Sequence, residues 1–132
     1  KFAASEGTGA QTFTAGSGAA ITFNTVEFDS ASAFSGNTYT LPYDGPYFIQ
    51  SQILWQSNSS GGRQLDIFVN GVSRCTAFDI ARSGGETPSI VSKIIDGVAG
   101  DTMTLVAQQG SGSTLSLFAH SLYNWVSISR VR

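Results

Sequence analysis

Few side chains in this chain have the type and spacing that catalysis requires. His120 is the single histidine, so it cannot build a multi-histidine metal site, and no cluster of Cys and His accompanies it. Serines are plentiful, but none sits in a Gly-x-Ser-x-Gly elbow, and a serine near one histidine is expected by chance. We interpret His120 as a strand residue, half packed and half solvated, and not as a general base.

Two acidic residues, Asp96 and Asp101, flank a pair of glycines in the segment IDGVAGDT. Carboxylates spaced along a loop suit a hard cation such as Ca²⁺, but a turn that leads into a strand explains the same residues more simply. The sequence holds no phosphate-binding loop, dinucleotide fingerprint or HExxH motif. We therefore expect a non-enzymatic protein with no cofactor and no bound metal.

Charge and cysteine content exclude several classes of partner and fold. The net charge is −2 and the seven Lys and Arg residues are spread along the chain, so nucleic acid is not an expected partner. Cys75 is the single cysteine, so no intrachain disulfide can form, and its apolar neighbours favour a buried, inert thiol. The apolar runs are too short to cross a bilayer, so we expect no membrane insertion. Only 12% of the residues are charged, which is typical of an extracellular or virion β-protein.

The elements that position these residues are expected to be short β-strands. Turn signals recur about every ten residues and no long stretch has helical periodicity, which is typical of an all-β sandwich or barrel. Asn70-Gly71 lies between alternating apolar residues and predicts a tight hairpin. We predict a flexible lead-in over residues 1–9 and one domain over 10–132. The ten predicted strands are 10–15, 19–28, 37–42, 46–57, 63–70, 73–80, 88–96, 101–109, 114–121 and 124–131.

The strand predicted over 46–57 has two unequal faces, because successive side chains alternate across a strand. The first face is apolar, apart from the small Ser51, and consists of Tyr47, Ile49, Ile53 and Trp55. The second is half apolar and half amide and consists of Phe48, Gln50, Gln52 and Leu54. Such a mixed row is more typical of a protein–protein interface than of a solvent face.

Motifs spread over most of the chain resemble those of a known superfamily. The stretch GPYFIQSQILW follows VEFDSASAFSGNTYTLPYD, and NG, AGDTMTL and WVSISRV come later in the chain. Their order and spacing resemble tumour necrosis factor-like domains and the globular head of complement's q subcomponent, in which a Phe-Asp strand precedes a Pro and a Gly-x-Tyr strand. The resemblance covers about residue 10 to the end. The low charge, lone Cys and terminal Trp-x-Ser-Ile look most like bacterial and bacteriophage members.

This resemblance implies a ten-stranded jelly roll of two antiparallel sheets that assembles as a homotrimer. One side of the Gly-x-Tyr strand would pack inside the sandwich as intrachain core, and the other would face the three-fold axis. The side chains that would contact neighbouring subunits are Phe48, Gln50, Gln52 and Leu54. Two departures from the pattern are Pro46 directly after Gly45, and Gln50 where many relatives place an aromatic residue.

Fold does not fix function, so three alternatives stay open. The first is a trimeric recognition head on a bacterial surface filament or phage fibre, which binds a cell-surface receptor or glycan; a secreted cytokine or complement-type ligand is a variant of it. The second is a purely structural cap that trimerises a fibre. The third is a monomeric sandwich that binds or cleaves carbohydrate, although no carboxylate pair in an aromatic cleft motif supports it.

Under the first alternative, exposed loops rich in Ser, Gly and Asn carry the ligand site. Arg63 and Arg82 lie in two of these loops, where each could bind a carboxylate or sulfate. For any single loop, a plain solvated turn is the simpler explanation. The expected location is extracellular, at a cell or virion surface. The loops are 30–37, 57–63, 82–87 and 110–113.

Overall fold

The computed structural model describes residues 1–7 and 10–132, and folds them into two antiparallel sheets packed face to face. Thirteen strands occur in this part of the chain: β1 (Phe2–Ser5), β2 (Thr12–Phe13), β3 (Ala19–Ala20), β4 (Thr25–Asp29), β5 (Phe34–Ser35), β6 (Thr38–Thr40), β7 (Gly45–Trp55), β8 (Gly62–Val69), β9 (Val72–Ile80), β10 (Thr87–Gly97), β11 (Thr102–Gln109), β12 (Leu115–Ser116) and β13 (Trp125–Arg130). One sheet has the order β10-β7-β13-β1-β4, and the other has the order β5-β6-β11-β8-β9 with β3 beside β11. A two-stranded ladder joins β12 to β2.

The all-β jelly-roll architecture agrees with the prediction, but the strand count does not. The long strands β7 to β11 and the closing strand β13 lie close to their predicted positions. The predicted strand 19–28 is instead two short strands that pair with different sheets, and 114–121 contains only the two residues of β12. Strand β5 was not predicted. A strand of only two residues is too short to show a two-residue period, so alternation of apolar and polar residues cannot locate it.

Residues 2–5 do not form the flexible lead-in that the sequence predicts over 1–9. They form β1, which lies between β13 and β4 in the five-stranded sheet. The Phe2 ring is buried and lies 4.6 Å from the ring of Phe34 and 5.0 Å from that of Tyr39. Burial of one large ring holds this strand in place despite its small remaining side chains. Residues 8 and 9 of the predicted lead-in lie outside the described residues.

The predicted hairpin joins β8 to β9 at Asn70-Gly71. Both residues have positive φ, 51° and 77°, which a two-residue turn between twisted strands requires and which Asn and Gly adopt at low cost. Val69 pairs with Val72 across the turn, and a register shift follows at Ile67. The hairpin therefore places β9 at the edge of the six-stranded sheet, with β8 between it and β11.

The core lies between the two sheets and comes from the inward-facing residues of both. Trp55 is fully buried, and its indole Nε1 donates a hydrogen bond to Ser89 Oγ at 3.1 Å. The phenyl ring of Phe13 meets the Trp55 ring edge-on at 5.3 Å. Cys75 is half-buried and packs against this core. Among the described segments there is no helix with the length and apolarity that a membrane span needs.

Candidate functional site

Strand β7 positions the residues that the sequence singled out. Its inward face is fully packed: Tyr47, Ile49, Ile53 and Trp55 are all buried in the core. The interrupting Ser51 is also buried, and its hydroxyl donates to the carbonyl oxygen of Trp125 at 2.9 Å. A small polar residue is therefore tolerated inside because its one donor is satisfied by the neighbouring strand.

The outward face of β7 is partly open to solvent. Phe48 and Gln50 are exposed, whereas Gln52 and Leu54 are half-buried. The partial burial of the last two comes from the loop before β13. Phe118 N donates to the Leu54 carbonyl oxygen at 2.8 Å, and Gln52 Nε2 donates to the Tyr123 carbonyl oxygen at 3.3 Å. The structure thus keeps all four predicted residues on one side of the sheet.

Neighbouring strands extend this surface with apolar residues that strand alternation had not assigned to it. Ile94 lies opposite Phe48, and Ile90 lies opposite Gln52. They are 57% and 59% exposed, high values for isoleucine in the middle of a strand. The segment SIVSKII has apolar residues at both odd and even positions, so a strand there must carry apolar side chains on both faces. That pattern could have predicted that some of these residues, such as Ile90 and Ile94, point away from the core.

The same surface continues to the far edge of the five-stranded sheet. Gln50 pairs with Ser92 of β10 on one side and with Ser127 of β13 on the other. From Ser127 this cross-strand row continues through Ala3 of β1 to Phe28 of β4. Phe28 is exposed, as is its strand neighbour Val26. We call this surface the open face, and its residues are Val26, Phe28, Phe48, Gln50, Gln52, Leu54, Ile90 and Ile94.

The centre of the open face is uncharged. The three rows through Phe48, Gln50 and Gln52 contain Ile, Phe, Ser, Thr, Ala, Gln and Trp, and the residues that the structure pairs in them include no ionisable side chain. Depletion of charge with retention of aromatic and amide groups characterises the centre of protein–protein interfaces. The arrangement can bind an apolar partner surface and offers amide donors and acceptors to it.

Arg63 does not take the ligand-binding role that the sequence suggested. It is fully buried, and its guanidinium donates to the carbonyl oxygens of Asn58, Ser60 and Gly62, each at 2.9 Å. Burial lowers the pKa of this guanidinium. Because these hydrogen bonds hold the preceding loop in place, Arg63 acts as a structural clamp on that loop. The prediction that Arg63 binds a ligand is wrong. Arg82 is exposed, and its main-chain N–H donates to Thr87 Oγ1.

The remaining candidate residues also have structural contacts. His120 lies in an exposed turn and not in a strand as we expected, and its Nδ1 accepts from Leu122 N at 3.2 Å. Asp101 accepts from Val98 N and from Asn70 Nδ2, and these hydrogen bonds, the main-chain one first, lower the pKa of its carboxyl. Asp101 therefore closes a turn and ties it to the β8–β9 hairpin. In the described residues no three His, Cys, Asp or Glu side chains gather as a metal site would require.

A basic cleft lies at the end of the sandwich where both chain termini meet. It has a volume of about 600 Å³, and its lining includes Tyr39, Tyr43 and Arg130. The Arg130 guanidinium lies 5.4 Å from the centre of the Tyr43 ring and donates to the Asp44 carbonyl oxygen at 2.7 Å. The pKa of Tyr39 is raised to about 12, mainly by burial and secondarily by the nearby Asp29. These contacts fix the turn before β7.

Comparisons with known proteins place the fold among solved structures. No protein-family model and no curated protein matches the sequence. The globular domain of zebrafish complement 1qA superposes with a TM-score of 0.71 at 14% identity, over 99% of this chain and 96% of that one. Murine APRIL gives 0.76 at 9% identity over 98% and 97%, and Eiger TNF from S. frugiperda gives 0.72 at 11% over 99% and 91%. The chain therefore has the jelly-roll fold of tumour necrosis factor-like and complement 1q-like domains.

Proposed function

We propose that this chain is a non-enzymatic, homotrimeric recognition head that binds a cell-surface receptor or glycan. In this proposal the head caps a bacterial surface filament or a phage fibre and works outside the cell. The observation that carries it is the open face: an uncharged, largely apolar surface that gathers five exposed large apolar side chains on one sheet, namely Val26, Phe28, Phe48, Ile90 and Ile94. Contiguous apolar surface of this kind marks an interaction site.

Burial of the open face contributes apolar free energy to association. Fully burying an isoleucine or phenylalanine contributes about 1.5–3 kcal/mol, so burying the exposed part of Ile90 or Ile94 contributes about 1–2 kcal/mol. Val26, Phe28 and Phe48 add comparable amounts in each protomer. Three protomers supply this gain three times, which opposes the free energy of about 4–15 kcal/mol that each association step costs.

Three-fold symmetry is supported by the sequence resemblance and by the position of the amides. Gln50 occupies the central row of the open face, flanked by serines on both neighbouring strands. Amide groups that converge on a symmetry axis can hydrogen-bond to one another while the apolar residues around them exclude water. The absence of charge in these rows matters most at an axis, where any charge would meet two copies of itself.

The first test of this proposal is the mass of the domain in solution. Light scattering at micromolar concentration should give about three times the chain mass of 13.9 kDa. Replacing Gln50 with Glu should lower that mass, because three carboxylates would be desolvated beside one another. The matched control is Gln56→Glu, at an exposed position just beyond β7. A stable wild-type monomer would overturn the trimer and its interface together.

Recognition is tested separately from assembly. Three copies of each binding site on one rigid head strengthen a weak interaction when the target surface is repetitive. The trimer should therefore bind cells or a glycan array better than a folded monomeric variant does. Equal binding by both forms would remove avidity from the proposal. A trimer that binds neither probe would instead favour the purely structural cap.

A further inference from the structure

A groove crosses the outward face of the six-stranded sheet, on the side of the molecule opposite the open face. Two adjoining depressions of about 440 and 140 Å³ form it, and both are lined by Gln64 and Gln108. Strands β8 and β11 make its floor, β9 makes one wall, and the small residues Gly18, Ala19 and Ala20 make the other. The larger depression alone lies within the range of about 300–1,000 Å³ that small-molecule sites occupy.

A buried carboxylate organises the floor of this groove. Asp66 lies on the outward side of β8, yet it is only 2% exposed. It accepts hydrogen bonds from Gln64 Nε2 at 2.7 Å, from Ser73 Oγ at 3.3 Å, and from Thr76 Oγ1. A carboxylate can only accept hydrogen bonds, and those it accepts are strengthened by its charge. The three donors are therefore turned inward, toward Asp66.

As a consequence, the groove presents acceptors to a ligand. Gln64 uses one of its two amide N–H groups on Asp66, which leaves its Oε1 to accept and its second N–H to donate. Gln108 Nε2 donates one N–H to the Gly16 carbonyl oxygen at 3.3 Å, which likewise leaves its Oε1 to accept and its second N–H to donate. The hydroxyl of Thr76 donates to Asp66 and retains lone pairs. A complementary ligand therefore brings hydrogen-bond donors for these oxygens and acceptors for the remaining amide N–H groups, as sugar hydroxyls can.

Aromatic side chains flank these acceptors. Phe78 is 67% exposed, and its ring lies directly over Gly62, where an added Cβ would come within 2.4 Å of the ring. It lines the smaller depression, and Phe68 lines the larger one. A sugar ring combines an apolar C–H face with a rim of hydroxyl donors. An exposed aromatic ring beside fixed acceptors complements both features.

We propose that this groove binds a neutral saccharide unit, whose hydroxyls donate to Gln64, Gln108 and Thr76 and whose C–H face packs on Phe78. This inference rests on the proposed function, because it names the site and the ligand class of the recognition head. Acidic sugars are disfavoured, since a carboxylate or sulfate would meet acceptors and the charge of Asp66. The site remains open in the trimer, because the groove and the open face lie on opposite sheets.

The experiment uses the purified protein and an array of neutral, sialylated and sulfated glycans, followed by titration calorimetry with the best neutral glycan. Gln108→Leu removes one acceptor and Phe78→Ala removes the stacking surface; each should weaken binding by about tenfold. Ala20→Trp fills the groove without removing an acceptor and should abolish binding. The matched control Gln56→Leu lies outside the groove and should bind like the wild type. Light scattering and melting curves verify that each variant keeps its fold and assembly.

The groove assignment is overturned if the wild type binds only acidic glycans or none. It is also overturned if folded Gln108→Leu, Phe78→Ala and Ala20→Trp all keep wild-type affinity. A trimer that binds cells by a route insensitive to these variants would retain the proposed function and lose this site. A monomer whose neutral-glycan binding is abolished by Ala20→Trp would retain the site and lose the trimeric head. The two proposals therefore fail separately.

Discussion

Replacing Ile94 with Asp is the sharpest test of the open face. Ile94 is 57% exposed on β10, opposite Phe48, so the isolated protomer already leaves most of this side chain in water. The substitution should therefore change the stability of a monomer little. In an assembly it forfeits about 1–2 kcal/mol of apolar burial per protomer. It also desolvates a carboxylate without a partner, which costs several kcal/mol more.

Those losses occur in all three protomers. Because about 1.4 kcal/mol corresponds to a factor of ten in an equilibrium constant, the trimer dissociation constant should rise by several orders of magnitude. The assay is light scattering across a dilution series from about 1 to 100 μM, with circular dichroism to confirm the fold.

The matched control is Ile80→Asp. Ile80 is 71% exposed on β9, in the other sheet, so the same chemical change there should leave the mass of the particle unchanged. Two results would refute the reasoning: an Ile94→Asp protein that dissociates no more readily than the wild type, or an Ile80→Asp protein that dissociates equally readily.

Two further substitutions test buried ionisable groups. Arg63→Ala should lower the free energy of unfolding by about 2–4 kcal/mol, measured with urea, because it removes three charge-assisted hydrogen bonds to the 57–62 loop; an unchanged value would contradict the clamp. Burial raises the pKa of Glu6 above its ordinary value of 4.5, although hydrogen bonds from Asn24 and Asn124 offset part of this rise. The stability of the fold therefore falls as the pH rises from the pKa of Glu6 in the unfolded chain through its pKa in the folded protein. Glu6→Gln should therefore raise the melting temperature by a few degrees at pH 7 and by less at pH 4; a lower melting temperature at pH 7 would contradict this.

Strand alternation predicted the inner face of β7 well because burial there follows the two-residue period of a strand. The same reasoning predicted the long strands, whose apolar residues recur often enough to show a period. It failed for β1, where one phenylalanine among small residues gives no pattern. That strand is held by the rings of Phe34 and Tyr39, which are distant in sequence and which alternation cannot reveal.

The prediction for Arg63 was wrong because it relied on the composition of the preceding loop and not on the position of Arg63 in the two-residue alternation of the strand. The segment before it is rich in Ser and Gly, which predicted an exposed loop. Arg63 nevertheless lies two, four and six residues before Leu65, Ile67 and Val69, all of which point into the core. Its strand position required burial, and the carbonyl oxygens of the preceding loop made burial of a guanidinium tolerable. The two-residue alternation could have predicted that the Arg63 side chain points inward, although not which carbonyl oxygens it contacts.

Under the two proposals, the open face and the groove give the two sheets different tasks. The five-stranded sheet exposes uncharged apolar rows, which lose free energy in water and gain it by association. The floor of the groove on the six-stranded sheet instead carries polar groups gathered around Asp66, which water satisfies well and an apolar protein surface does not. Association should therefore select the first sheet and leave the second in solvent. A trimer built this way presents three identical grooves outward, so weak binding by one groove becomes strong on a repetitive surface.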